Sequence, residues 1–231
     1  MDNRRRMLLS GGLSADPVLE NNDWATISAI AKAGKAAEFW SIGDKKNITV
    51  SGKTYAMRII GFDHDDVTDP AAYGRAKAGI TFESVIIPAL GQLDSSGSFT
   101  NGWGSCEMRN TKLDSLYNSM SSDLKNAIVP VNKSYALYTE ASSMRTVSDK
   151  LFLLSEWEYI GKKDSAKRQE GNQYAFYAAG NNPSKTYNGS QKHYWTRSKN
   201  SDYRGITIYS ETSIGREYAD SSYGQITAFC V

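Results

Sequence analysis

The sequence predicts an α+β fold of mainly antiparallel strands with two or three helices. Helical periodicity is confined to the stretch before Pro130, short segments of period two dominate from Tyr194 to the end, and no internal repeat is visible. Residues 1–22 are polar, contain Gly, Pro and Asn, and read as an N-terminal arm. Residues 23–231 read as one domain. Asp23 is a good N-cap for a helix through about Gly34, with Trp24, Ile27, Ile30 and Ala31 on one buried face. ITVSGKTYAMRIIGF then reads as strand, Ser51-Gly52 turn, strand. FDHDDVTDP is a loop, and ITFESVIIPAL (80–90) is too apolar to be exposed. The Gly/Ser-rich loop 94–105 leads into a helix with Leu113, Leu116, Tyr117 and Met120 on one face. A short second helix, SSDLKNAI, starts at Ser121 or Ser122 and is stopped by Pro130. VNKSYALYTEA reads as an extended strand or arm, and DKLFLLSEWEYIG as a buried segment turning amphipathic. Residues 162–191 are polar and loop-rich. YWTR, GITIYS and QITAFCV are the closing strands.

Composition narrows the function classes. A chain of 231 residues buries roughly 70% of its unfolded surface, so it needs no metal or disulfide to stand. A net charge of +2 provides no global field for nucleic acid or an anionic membrane. No segment reaches the roughly 20 apolar residues needed to span a bilayer. Arg4, Arg5 and Arg6 precede an apolar run of only Met7, Leu8 and Leu9, short of the ~7–15 residues of a signal-peptide core, so no secretion signal is expected. Cys106 and Cys230 have no metal-ligand or redox spacing and read as two buried thiols. Fourteen Tyr and five Trp against two His favour contact surface over proton chemistry.

The chemical constellations are thin. Asp63, His64, Asp65 and Asp66 supply a fragment of a hard-cation site, and read instead as an acidic turn bonding local backbone. A nucleophile–His–acid set with His64 or His193 lacks any strand–GxSxG–helix context. Glu156 and Glu158 read as surface acids beside the buried LFLL rather than a glycosidase pair. His193 through Arg197 contains groups that stack on a base or sugar. The favoured reading is a core strand with Trp195 buried and Arg197 pairing a carboxylate. No catalytic residue, cofactor or metal is expected. The run 199–227 has paratope composition, aromatic and Arg anchors among small polar groups; an ordinary polar meander is the alternative.

Three segments carry a resemblance. GWGSCEMRN (102–110) resembles the GGW-x-x-S-x-MR element of a bacterial and phage domain family of otherwise unknown function. DKLFLLSEWEYIG (149–161) resembles its D-K-LFLLS-E-E segment, and YWTRS (194–198) with the terminal AFCV resembles its YW-LRS…FCV ending. Residues 42–65 and GITF at 79–82 also fit, so the resemblance spans about 23–231. Members with this ending look like variable proteins of diversity-generating retroelements, in which a template repeat is copied with mutation at adenines and replaces the 3′ end of the gene. The resemblance implies a C-type lectin fold, shared with phage tropism determinants and formylglycine-generating enzymes. It implies a variable region at about 199–227 held by frame residues Trp195, Ile208, Ile226 and Phe229. The ligand-binding positions it implies are Asp202, Tyr203, Arg204, Tyr209, Glu211 and Ser213, with Arg216, Tyr218, Asp220, Ser222, Tyr223 and Gln225. The implied function is hypervariable binding of a cell-surface protein or glycan, by a phage tail protein or a surface-displayed adhesin, with a homo-oligomer such as a trimer or virion assembly as its setting. A fixed-specificity lectin is an alternative. A copper-dependent oxidase is disfavoured, because neither Cys106 nor Cys230 sits in a paired-cysteine context.

Overall fold

Asp23 accepts a hydrogen bond from the Thr26 amide and starts α1 (Trp24–Lys32), whose Trp24, Ile27, Ile30 and Ala31 are buried. Trp24 sets its ring edge-on to Phe82 and Phe229, at 5.5 and 5.8 Å between centroids, which anchors the helix on a sheet. The computed structural model describes residues 8–10, 12–137, 143–162 and 168–231. The basic stretch MDNRRRM, residues 138–141 of VNKSYALYTEA and part of the polar 162–191 stretch lie outside the described residues.

A ribbon of β1 (Leu8–Ser10) and β2 (Leu13–Ala15) precedes the main body. The first large sheet has the order β3 (Lys45–Val50), β4 (Lys53–Phe62), β5 (Ile80–Ser84), β16 (Ala228–Cys230), β9 (Leu151–Phe152). Its β3–β4 hairpin turns at Ser51-Gly52, where both residues have positive φ. The second has the order β14 (Ser213–Tyr218), β13 (Arg204–Ser210), β12 (Tyr194–Lys199), β15 (Tyr223–Gln225), β6 (Ala89–Gly91). All pairings are antiparallel except β12 with β15. Two ribbons, β7 (Val131–Ala136) with β8 (Met144–Asp149) and β10 (Thr186–Tyr187) with β11 (Ser190–Gln191), complete the strands.

An α+β fold with mostly antiparallel sheets is therefore present, but the expectation of two or three helices in a C-type lectin fold is corrected. Seven α-helices occur among the described residues, and the strands form two open five-stranded sheets and three ribbons rather than a closed lectin-type sheet. Apart from α1, the helices α2 (Ala36–Phe39), α3 (Pro70–Tyr73), α4 (Asp114–Asn118), α5 (Ser122–Ala127), α6 (Glu156–Ile160) and α7 (Ala175–Ala178) have four to six residues. One turn leaves no period-3.6 pattern, and such short helices persist through tertiary packing. The helix expected after the 94–105 loop opens with a π-helical turn, Met108–Leu113, before α4. QITAFCV is two strands, not one: β15 belongs to the second sheet and β16 to the first, with Ile226 and Thr227 crossing between them. The segment 80–90 is only partly buried: residues 80–84 and Ile87 are buried, while Ile86 and Leu90 are exposed.

The three segments that carried the resemblance are joined by buried polar bonds. Trp103 Nε1 and Arg109 Nε both donate to Asp149, at 2.7 and 2.6 Å, which ties GWGSCEMR to DKLFLLS. Ser155 and Glu158 form a reciprocal capping box on α6. Glu158 then receives both terminal nitrogens of Arg197 from YWTRS, one at 2.9 Å. Arg197 also donates to the carbonyls of Ser134, Leu153 and Glu170. Lys133 Nζ lies 2.7 Å from both Asp65 and Glu158. Two expectations fall here. Glu156 and Glu158 are buried, not surface acids, because Glu158 answers two buried cations. Asp65 does not bond local backbone; it accepts from Lys133, Thr81 and Tyr174 in the interior. Burial pushes the Glu158 carboxyl up, but Arg197 and Lys133 outweigh it and hold it below its usual range. A separate buried acid, Glu83, receives Tyr159 (2.7 Å), Tyr177 (2.5 Å) and Lys185 (2.5 Å); burial lowers Lys185 to about 8 despite that pairing.

Arg197→Met leaves Glu158 short of its main partner, and a broken buried pair costs about 3–5 kcal/mol, to be read by urea denaturation. A loss within experimental error would show that the network is not structural. Glu170 titrates in the opposite sense. Burial outweighs the pull of Arg197 and raises its pKa from 4.5 to about 7. The folded state thus holds a proton that the unfolded state releases. Stability from this group is full below pH 4.5 and is lost as pH rises through about 7. That is about 3 kcal/mol in all. Glu170→Gln should flatten the stability–pH curve between pH 5 and 8 relative to the parent, and an unchanged slope would contradict the assignment.

Candidate ligand-binding face

The stretch 199–227 divides sharply by burial. Ile206, Thr207, Ile208, Ala219 and Ile226 are fully buried, as is Trp195 on the neighbouring strand. None of the twelve positions expected to contact ligand is buried. The division follows strand alternation and the antiparallel register of β13 with β14, which is not among the three closing strands expected from sequence. Ser, Gly, Arg and Glu dilute its apolar alternation.

The twelve positions do not form one face. Arg204 lies opposite Tyr218, and its guanidinium stacks over that ring at 4.0 Å. Arg204 also donates to the Arg216 carbonyl. Tyr203 and Tyr218 are the two large exposed aromatics here, at 62% and 52%. These four residues make one exposed cluster at the open end of the β13–β14 hairpin. Directly opposed pairs share a sheet face, so Arg204, Arg216 and Tyr218 lie on the side of the buried Ile206 and Ile208.

The other side carries a second cluster. The His193 ring lies 4.9 Å from Tyr209 and 5.9 Å from Tyr223, while Tyr223 sets its edge on the buried Trp195 at 5.2 Å. His193 Nδ1 is 3.1 Å from Thr207 Oγ1. Leu90, Gln191, Lys192 and Ser222 complete an open depression of about 370 Å³. Glycine at 215 lets β14 pass close beside this cluster, because a Cβ there would meet Thr207, Glu217 and the His193 ring. Tyr209, Ser222 and Tyr223 were expected from sequence. Leu90 and Gln191 come from distant or loop-like segments and left no binding signal. The remaining positions are scattered. Asp202 accepts from Lys199 at 2.7 Å, Glu211 and Ser213 sit at the hairpin turn, Asp220 is exposed near Gly97, and Gln225 faces a different cavity.

The described residues contain one group with metal-ligand proximity, His64, Asp65 and Glu158, whose ligand atoms lie within 4.8 Å of one another. The Lys133 ammonium already bridges Asp65 and Glu158, so the set does not fit a metal ion. Cys106 and Cys230 are free and buried, as expected. Burial pushes the Cys106 thiol up to about 12. No helix among the described residues is long and apolar enough to cross a membrane.

Burial lowers the His193 pKa below 6.5, and Glu217 opposes that shift. The imidazole should titrate below 6.5 by NMR, and lower again in Glu217→Gln. An upward move on losing Glu217 would refute this description of the site.

Comparison with curated proteins and with solved structures gives no match. A family model described as a domain of unknown function, DUF6273, matches residues 81–231. That span holds both aromatic clusters and all three motif segments, and the chain belongs to the DUF6273 domain family.

Proposed function

We propose that this chain is a hypervariable ligand-binding protein, diversified at its 3′ end by a retroelement and serving as a receptor-binding component of a phage tail. Display on a bacterial surface is the same reading with a different carrier. The observation that supports it is the partition of 199–227: the apolar frame residues are buried, while the Tyr, Arg, Ser, Asp and Glu positions stand out of the core. Substitution at such positions costs little stability, so one scaffold can carry many surfaces. The occupant would be a cell-surface protein or glycan, bound without cofactor and without chemical change. Tyr supplies contact area at low ordering cost. Two separate aromatic clusters suit weak contacts multiplied in a homo-oligomer such as a trimer.

Sequencing many copies of the 3′ end from one population tests this directly. Substitutions should concentrate at adenine-derived codons for exposed positions in 199–227, with YWTRS and AFCV unchanged. Even scatter along the gene, or changes at Ile206 and Ile208, would sink the reading; one invariant sequence with one sugar preference would favour a fixed lectin. Tyr203→Ala and Tyr218→Ala should each cost less than about 1 kcal/mol in thermal or urea denaturation. A larger loss would make these tyrosines structural.

A further inference from the structure

A cavity separate from both aromatic clusters lies where the β3–β4 hairpin faces α4 and the crossing between the two sheets. Its volume is about 500 Å³, within the range of small-molecule sites. Ile48, Val50, Met57, Pro88, Leu116 and Met120 give it an apolar wall. Leu116 has the helical spacing of a core residue, yet it remains half-buried on this wall.

Two further observations point to a ligand. Thr227 lines the cavity and is 4% exposed. Its hydroxyl is buried without a hydrogen-bond partner among the described residues. An unpaired buried hydroxyl costs about 1–3 kcal/mol, and the staggered χ1 rotamers offer it more than one direction from which to meet a partner. The lining also holds Lys53 and Lys112 and no carboxylate. Lys112 is held by Glu107 and the Gln92 carbonyl. Lys53 stands on the exposed tip of the hairpin.

We infer that this cavity binds a small amphipathic monocarboxylate, an acid with an aliphatic body. The body fills the apolar wall, and the one carboxylate accepts from both the Lys53 ammonium and the Thr227 hydroxyl. The site is independent of the proposed variable face. Of the positions expected on that face, only Gln225 lines this cavity.

Decanoate, below its micellar concentration, is the probe, with decanol as the neutral control and titration calorimetry of the full chain as the readout. Decanoate should bind saturably at one site and roughly tenfold tighter than decanol, the factor that a charge-assisted hydrogen bond supplies. Ser115→Trp, at an exposed position on the wall, should abolish binding without lowering the melting temperature. Thr227→Val should weaken decanoate several-fold while leaving melting unchanged or raised, a split that a purely structural role does not produce. Tyr218→Ala should leave decanoate binding unchanged, which separates this site from the receptor-binding reading. No saturable binding to the parent, equal affinity for decanol, or full binding by Ser115→Trp would each overturn the inference.

Discussion

The pairing of Arg197 with Glu158 is the constraint on which the rest of the structure depends. A guanidinium and a carboxylate are held away from water, where either one alone would be strongly unfavourable. Arg197 uses its remaining donors on the carbonyls of Ser134, Leu153 and Glu170, so one side chain of β12 fixes three other segments of chain. Lys133 extends the network to Asp65, and Asp65 in turn receives Thr81 and Tyr174. Because β12 is the central strand of the second sheet, its position sets that of β13 and, through β13, of β14.

This arrangement explains why the exposed positions can differ so much in chemistry from the frame beneath them. The strand register and the side on which each residue emerges are decided by Tyr194, Trp195, Ile206 and Ile208, all fully buried. The outward residues inherit their positions and contribute little to them. The same logic accounts for the apolar cavity. The chain leaves the second sheet at Gln225 and enters the first at Ala228, so Ile226 and Thr227 must cross between the two sheets. The crossing leaves a space that neither sheet fills.

Much of the architecture is legible in particular residues. Asp23 announces α1, Ser51-Gly52 announces the β3–β4 turn, and the strict burial of YWTRS follows from Trp195 within an alternating strand. The expectation that Arg197 pairs a carboxylate is met by Glu158. The helix count was not legible, because single turns such as α3 and α7 carry too few residues to show a period. Glu158 and Asp65 were misread for a related reason. An acidic residue in a polar-looking segment is usually exposed, and only a distant partner can reverse that.

By itself, the sequence determined the buried frame, the class of fold, and the chemical character of the C-terminal stretch, since each depends on local spacing and composition. The tertiary structure decided which of those C-terminal residues meet. It placed Arg204 and Tyr218 on one side of the sheet and Tyr209 and Tyr223 on the other, and it sent Gln225 to a separate cavity. Those outcomes rest on strand register and on pairings between residues far apart in the chain, which local pattern does not encode.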